Sequence, residues 1–197
     1  NKELAKIQID TPDKDERQVT DDAFLAKYAN TAPKELITLW QEVGFGTFYN
    51  GLFRLLPPEE FIFWDDAYIG ESGQIKPQIP FMITAFGDIF VWVYDTCLNE
   101  SYVAYINIRK GTWKIGASNV KILFNVRILS NTCIKMFDLE MFPALVSKLG
   151  RLEEDECYGY VPALALGGDN DIDKVERVKF VPYIDLICQS LGDFEFA

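Results

Sequence analysis

The chain of 197 residues contains no histidine. Histidine is the general base of Ser-His-Asp and Cys-His catalysis and the most common protein ligand of transition metals. Its absence therefore excludes these catalytic arrangements and every histidine-ligated metal site. An enzyme of this composition would have to act through carboxylates, lysine or tyrosine.

Long apolar runs are also missing, so the sequence predicts no membrane-spanning helix. The first residues, Asn1 to Leu4, lack the apolar segment of a signal peptide, although the missing initiator Met leaves a removed signal open. The cysteines are few and contain no Cys-x-x-Cys pair, which predicts reduced, core-filling thiols and a cytoplasmic location. They are Cys97, Cys133, Cys157 and Cys188.

Positive charge is scarce, with 19 lysines and arginines against 30 aspartates and glutamates and a net charge of −11. Nucleic acids and anionic membranes are bound through basic surfaces, so this balance argues against direct contact with either. It permits a basic protein as the partner. Acidity also serves solubility alone, and both explanations stay open at this point.

Aromatic residues, in contrast, are abundant, with 15 Phe, 9 Tyr and 4 Trp, which predicts a sizeable core. Helical start signals and apolar spacing predict helices in the first and last parts of the chain, each ended by a polar or glycine stretch. They are expected over residues 20–28, 31–44, 57–70 and 182–192. In the last helix, the predicted buried stripe consists of Tyr183, Leu186, Ile187, Ser190 and Leu191.

Consecutive β-rich segments occupy the middle of the chain, and they predict strands over residues 52–56, 79–84, 87–94, 101–108 and 112–115. The segment 87–94 is apolar on both faces, as expected of a central strand. Hairpin connections between consecutive strands predict an antiparallel sheet. The fold class is therefore α+β, with a mostly antiparallel central sheet and flanking helices at both chain ends.

Three later segments leave choices open. Val120 to Leu129 continues as either a strand or a loop, and residues 134–149 are helical with Pro143 inside the pattern. Pro143 either kinks one helix or stands early in the second of two short helices. Tyr158 to Leu166 is predicted to be an interior strand, followed by a short strand that contains Val178 and Phe180.

Chemical motifs are weak throughout. The acidic segment 167–173 resembles the start of an EF-hand loop, but the required sixth-position Gly and twelfth-position Glu are Lys174 and Phe180. A solvated acidic turn without metal is therefore expected. Cys157 follows four acids, which should raise its pKa and make it a poor nucleophile.

Acidic surface is what remains, and it offers the candidate contacts for a cationic protein. Solvated loops are the simpler explanation for such runs. The two acidic segments that flank 158–166 need not form one patch, because a strand separates its two ends. The candidate partner-binding residues are Glu59, Glu60, Asp65, Asp66, Glu153, Glu154, Asp155, Asp169 and Asp171.

Two parts of the chain resemble known families. The segments Trp40–Gly46, Gly51–Phe53, Leu56–Phe61, Ile79–Phe81 and Thr84–Phe90 are similar to the GAD-like domain of bacterial proteins. Leu149 to Leu152 and Asp155 to Gly168 resemble the C-terminal domain of type VI secretion immunity proteins. The resemblance divides the chain into an N-terminal arm (1–19), a GAD-like region (20–116) and an immunity-protein C-terminal region (117–197), expected to share one compact core.

The resemblance implies an immunity protein that binds and neutralises a cognate type VI secretion nuclease (a DNase) in the bacterial cytoplasm, as one half of a toxin–antitoxin pair. It implies no catalysis, no cofactor and no direct contact with nucleic acid or membrane. Two alternatives stay open. One is an enzyme that uses carboxylates or tyrosine on a small molecule, and the other is a general interaction module.

Overall fold

The computed structural model describes residues 20–64, 77–128, 130 and 132–197. Within these residues it contains nine strands, mostly antiparallel, and six helices that lie toward both chain ends. The predicted α+β class is confirmed. The predicted N-terminal arm and the 65–70 part of the predicted third helix lie outside the described residues.

Seven strands form the central sheet, in the order β1–β2–β3–β4–β5–β6–β9. All neighbours are antiparallel except β9, which pairs in parallel with β6. The predicted strand 87–94 corresponds to β4, which is buried on both faces and lies at the centre of the order. The strands are β1 (Gly46–Phe48), β2 (Phe53–Leu55), β3 (Gln78–Thr84), β4 (Ile89–Asp95), β5 (Glu100–Asn107), β6 (Thr112–Ala117) and β9 (Glu195–Phe196).

Helices cover both faces of this sheet. One core cluster joins the sheet to α1–α5, and a second joins the other face to α6. The Asp21 carboxylate starts α1 by accepting a hydrogen bond from the Phe24 amide at 2.7 Å. The helices are α1 (Asp22–Tyr28), α2 (Lys34–Glu42), α3 (Val120–Ile122), α4 (Cys133–Met136), α5 (Phe142–Leu149) and α6 (Phe180–Leu191).

A separate two-stranded antiparallel sheet follows α5, made of β7 (Glu156–Tyr160) and β8 (Val175–Lys179). It contacts the central sheet where the Tyr158 amide donates to the Ala85 carbonyl at 2.8 Å. β7 ends at Tyr160, so the predicted strand 158–166 is wrong in its second half. Pro162 has no amide hydrogen to continue the ladder, and a 3-10 turn at Leu164–Leu166 follows.

Two further predictions are corrected. After Pro57 the chain forms only a 3-10 turn, Pro58–Glu60, and then bends so that Phe61 and Phe63 are both buried. Val120 to Arg127, predicted to be strand or loop, is helical: α3 is capped by Asn119 and continues as a π-helical turn over Leu123–Arg127.

Around Pro143 the alternative of two short helices is confirmed, because Pro143 lies in the first turn of α5. In α6 the predicted stripe is wrong in phase: Ile187 is buried as expected, but Leu186 is 57% exposed. Phe180, predicted to lie in a strand with Val178, is instead the first residue of this helix, since β8 ends at Lys179. The face that contains Phe180, Ile184 and Cys188 packs on the sheet. Among the residues described, no helix is long and apolar enough to cross a membrane.

Candidate protein-binding surface

Arg54, in the middle of β2, is the buried cation beneath the acidic loop 153–156. Its neighbours in the strand, Phe53 and Leu55, join the first core cluster, so strand alternation sends Arg54 to the opposite face. Its Nη2 atom donates to the carbonyl oxygens of Glu153 at 3.2 Å and Glu156 at 3.1 Å. This arginine therefore ties the acidic loop to the central sheet.

Two acidic segments that are distant in the chain interact electrostatically with Arg54. Burial raises the pKa of the Glu60 carboxyl; Arg54 opposes this shift, whereas Glu154 and Glu59 add to it. The 3-10 turn Pro58–Glu60 and the loop before β7 are thus electrostatically coupled. We call Glu59, Glu60, Glu153, Glu154 and Asp155 the acidic surface.

Most carboxylates of the acidic surface already have a cation from this chain. Glu59 pairs with Lys27. Asp155 lies 2.7 Å from Lys179, whose hydrogen bond lowers the pKa of the Asp155 carboxyl. Arg177 of β8 lies 3.6 Å from Glu153 and makes a closer pair, 2.6 Å, with Glu156. Glu60 and Glu154 are exposed and have no ion pair among the described residues.

The other predicted site residues do not join the acidic surface. Asp169 and Asp171 precede β8, at the end of the β7–β8 hairpin where Tyr160 pairs with Val175; the loop 153–155 lies at the opposite end. Asp171 caps a 3-10 turn by accepting from the Asp173 amide at 2.9 Å. Asp65 and Asp66 lie outside the described residues.

Comparison with known families identifies two regions. Residues 4–106, just over half of the chain, match the GAD-like domain. The chain belongs to the GAD-like domain family. Residues 117–190 match a second family, described as the T6SS immunity protein Tdi1, C-terminal. Both resemblances noted in the sequence are confirmed, and the second similarity suggests a type VI secretion immunity function for this GAD-like protein.

A solved structure shares the whole fold. The crystal structure of Atu4351 from Agrobacterium tumefaciens matches 100% of this chain and 91% of that chain, with a TM-score of 0.72 at 20% sequence identity. At this identity the likeness shows the fold alone. No curated protein matches the sequence of this GAD-like protein with significance.

Two glycines in residues 155–168, the segment that resembles immunity proteins, are required by the packing around them. A Cβ on Gly159 would lie 2.6 Å from Val178 and 2.8 Å from Tyr183, and a Cβ on Gly168 would lie 2.0 Å from the Pro162 carbonyl oxygen. Such distances are shorter than van der Waals contact. Both positions therefore require glycine for packing, and neither offers a side chain to a partner.

Tyr158 and Tyr160 of the same segment also make contacts within the protein. The Tyr158 hydroxyl donates to the Gly150 carbonyl at 2.5 Å, and the Tyr183 hydroxyl of α6 donates to the Tyr160 carbonyl at 3.0 Å. Burial raises the pKa of both Tyr158 and Tyr183. These hydroxyls act as hydrogen-bond donors that fix the hairpin against its neighbours.

Sequence reasoning missed a buried polar network between the two matched regions. Asp88 is fully buried, and its Oδ2 atom accepts from Arg109 Nε at 3.0 Å and from the Tyr105 hydroxyl at 2.6 Å. Tyr105 lies 2.7 Å from the carbonyl oxygen of Phe137, and Arg109 Nη1 donates to that of Asp138 at 2.9 Å. The network fastens the sheet to the α4–α5 connection.

The charge of this network is balanced within the core. Burial alone would lower the pKa of Arg109, but Asp88 and Tyr105 together outweigh burial and the pKa is raised. A signal for this pair existed in the sequence. Asp88 directly precedes β4, and Arg109 follows the end of β5. Because these two strands are antiparallel, the start of β4 and the end of β5 lie at the same end of the sheet.

The cysteines offer no reactive thiolate at the described core positions. Burial raises the pKa of Cys133 to about 11 and that of Cys188 to about 12. The pKa of Cys157 is raised as well, with burial as the main cause and Glu156 as a smaller one. The sequence had predicted the direction from the neighbouring acids, whereas full burial dominates.

Proposed function

We propose that this GAD-like protein is a type VI secretion immunity protein that binds and neutralises a cognate nuclease toxin in the bacterial cytoplasm. The observation that carries the proposal is the match of residues 117–190 to an immunity-protein family. The proposal contains no catalytic step and no cofactor. Direct protein–protein contact is the mode of action.

The acidic surface supports a basic nuclease as the partner. A protein that cleaves DNA presents positive charge to phosphates, and an acidic protein can occupy that surface by charge complementarity. The local cations Lys179, Arg177 and Lys27 already pair with three members of the acidic surface. Glu60 and Glu154 are therefore the carboxylates best suited to pair with the toxin.

Co-expression with the neighbouring toxin tests the function itself. We expect a bacterial host that produces the nuclease encoded beside this gene to lose viability and DNA integrity, and to recover both when this protein is present. In vitro, the purified protein should abolish DNA cleavage at about one equivalent, since inhibition is stoichiometric. A toxin that remains active at a large excess of this protein would refute the proposal.

Charge reversal tests the surface. Glu60→Lys with Glu154→Lys should weaken binding by at least about tenfold, because it places like charge against a basic partner. Asp169→Lys with Glu140→Lys changes the net charge equally at exposed positions away from the acidic surface. This matched control should bind within about threefold of wild type. Equal losses in both variants would show that only overall charge matters.

A further inference from the structure

We infer that an apolar patch at the outer edge of the central sheet is a surface on which the toxin docks. The patch consists of Tyr102 on β5, Trp113 and Ile115 on β6 and Phe196 on β9, and we call it the edge patch. The partner that fits it presents apolar side chains bordered by lysine or arginine. The inference rests on the proposed function and adds a contact surface separate from the acidic surface.

Ring contacts and strand geometry make the edge patch continuous. Tyr102 stacks on Trp113 with the ring centroids 6.4 Å apart, and Phe196 meets the same ring edge-on at 4.7 Å. Both separations lie in the range of attractive aromatic pairs. Ile115 follows two residues after Trp113 on β6, so its side chain projects from the same face. The four side chains therefore span three neighbouring strands.

The chain itself covers only one end of β6 on this face. Where β6 begins, a Cβ on Gly111 would lie 2.8 Å from Leu191 of α6, and Phe194 is buried in the second core cluster. Further along β6, Ile115 is 55% exposed, and Phe196 beside it on β9 is 65% exposed. Exposed apolar patches with a polar border mark interaction sites, and aromatic side chains are enriched at the centres of interfaces.

The charges beside the edge patch identify the kind of partner. Glu100 lies on the patch side of β5, two residues before the tyrosine, and Glu195 lies on β9; both are exposed. Lys114 of β6 instead projects to the other face, where its Nζ atom donates to the carbonyl oxygen of Met136. These neighbours give the patch an acidic border, which complements a basic protein such as a nuclease.

A second copy of this chain would meet the edge patch at an electrostatic cost. A two-fold contact places the same surface of both copies face to face, so Glu100 and Glu195 would lie near their own equivalents. Each copy also has a net charge of −11. Like charges across an interface slow encounter and lower affinity. The charge balance therefore favours a basic toxin over self-association.

The edge patch and the acidic surface lie at the two ends of α6. The Phe180 amide at the start of α6 donates to the Asp155 carbonyl at 2.9 Å, and Leu191 at its end packs beside Gly111. A helix of 12 residues is about 18 Å long, which is within the breadth of a standard protein–protein interface. One toxin can therefore make apolar contacts at one end of α6 and ion pairs at the other.

Removal of exposed apolar side chains tests the surface. Ile115→Ser with Phe196→Ser should weaken binding to a catalytically inactive form of the neighbouring toxin by at least about tenfold, because the apolar contact is lost. The matched control, Leu166→Ser with Leu186→Ser, removes side chains that are 41% and 57% exposed outside the edge patch. It should bind within about threefold of wild type. Equal affinities of the two variants would overturn the inference.

A footprint keeps the test valid if the serine variant folds poorly. Ile115→Cys and Leu186→Cys, each combined with Cys97→Ser, place one reactive thiol inside or outside the edge patch. Saturating inactive toxin should slow maleimide labelling at position 115 by at least about tenfold and leave position 186 within about threefold. Mass spectrometry reads the labelling of this chain alone. An unchanged rate at position 115 with the toxin bound would overturn the inference.

Neutralising the border tests the charge of the partner. Glu100→Gln with Glu195→Gln should slow association by about threefold or more at low salt, and by less at roughly 0.5 M salt, where screening is strong. Equal or faster association of this variant at low salt would contradict a basic partner at the edge patch.

Wild-type behaviour separates this inference from the proposed function. A wild type that neither binds the toxin nor protects against it refutes both. If wild type binds and protects, and Ile115→Ser with Phe196→Ser does so equally well, the proposed function stands and the edge patch is not the docking surface. Light scattering covers the other occupant. A wild-type dimer that this double variant dissociates would assign the patch to a second copy and overturn the toxin as its partner.

Discussion

Asp88 is fully buried, and its carboxyl group accepts hydrogen bonds from Arg109 and Tyr105. Such a group is stabilised only while its partners remain. Removal of one partner leaves a buried charge that has lost part of its compensation. Loss of a partner should therefore lower the free energy of unfolding. We assign this network a structural role, separate from the acidic surface.

We expect Asp88→Asn to lower the free energy of unfolding by about 3–5 kcal/mol, because the charge of Arg109 would stay buried without its counterion. Urea unfolding followed by circular dichroism measures the change. The matched control is Lys110→Gln, which removes the exposed ion pair with Asp138. It should cost less than about 1 kcal/mol. Similar values for the two variants would contradict a structural role of the buried pair.

The cysteines give a second expectation at this scale. Cys97 is exposed, whereas Cys133, Cys157 and Cys188 are buried thiols with raised pKa values. With a thiol reagent at neutral pH, we expect one cysteine to react within seconds to minutes and three to react only after urea is added. Replacement of Cys97 by Ser should abolish the fast phase. A second fast thiol would show that a core position opens readily.

At the scale of elements, the connection between β7 and β8 contains two adjacent glycines that are required for different reasons. A Cβ at Gly168 would lie 2.0 Å from the Pro162 carbonyl oxygen, while one at Gly167 meets open space. Gly167 has instead a φ of +91°, which favours glycine through backbone strain alone. At Gly168 a side chain would meet a steric conflict, whereas at Gly167 it would meet only backbone strain.

Gly168→Ala should therefore destabilise the protein by about 3 kcal/mol or more, since the backbone must move to relieve the contact. Gly167→Ala should cost about 1–2 kcal/mol for the left-handed conformation alone. Thermal unfolding of both variants in parallel checks the order. The reverse order would show that the Pro162 turn adjusts easily and that strain dominates.

Elements with strong local signals could be predicted, and those decided by tertiary contacts could not. The helices expected over 20–28 and 31–44 and the consecutive β-rich segments of β3–β6 appear in the sequence and in the structure. Strands of two or three residues, such as β1 and β9, carry too few side chains to show a period. The 120–127 segment alternates like a strand but becomes helical because Asn119 caps it.

The candidate surface divides in the same way. Acidic residues could be named from the sequence, and Glu60, Glu154 and Asp155, from two separate segments, all interact electrostatically with Arg54. Their common neighbour Arg54 could not be found, because an arginine between apolar residues in a short strand resembles an exposed edge position. Only the packing of the 153–156 loop over β2 buries it.

At the scale of the whole molecule, neither matched region contains a complete core. The first cluster combines Phe53, Phe81 and Phe90 with Leu123 and Phe137, and the second combines sheet residues with α6. The seventh strand of the central sheet, β9, follows α6 near the end of the sequence. We propose that residues 20–197 unfold as one unit.

A fragment of residues 20–116 should consequently lack stable tertiary structure, because it would expose the sheet face that α3–α5 help to cover and the opposite face that α6 covers. Dispersion of its NMR amide signals gives the measurement, and residues 20–197 serve as the reference. In that reference, fluorescence and circular dichroism should report one coincident urea transition. A well-dispersed spectrum of the fragment would show that the GAD-like part folds alone.

The pH dependence of stability follows from the absence of histidine. No side chain with an ordinary pKa near 6.5 titrates, so the free energy of unfolding should be nearly constant from about pH 6 to 8. Asp155, Glu156 and Asp173 have pKa values below their usual 3.8 or 4.5. Their contribution is present above those values and is lost as pH falls through the lowered ones.

Glu60 acts in the opposite sense, because its raised pKa gives stability below 4.5 that is lost as pH rises through the folded value. With several lowered carboxylates against it, we expect stability to fall below about pH 4. Urea unfolding at a series of pH values provides the test. Lys179→Met should reduce the acid slope, since Lys179 lowers the pKa of Asp155. A steep loss between pH 6 and 7 would contradict this account.

The anchoring of the 153–156 loop has a consequence for protein engineering. Three cations from elsewhere in the chain hold it: Arg54 from β2, and Arg177 and Lys179 from β8. Transplanting the four acids alone into another scaffold would therefore transfer their charge but not the conformation of the loop. A graft that keeps the conformation of the loop would comprise β2, the loop and the β7–β8 hairpin together, as one discontinuous unit.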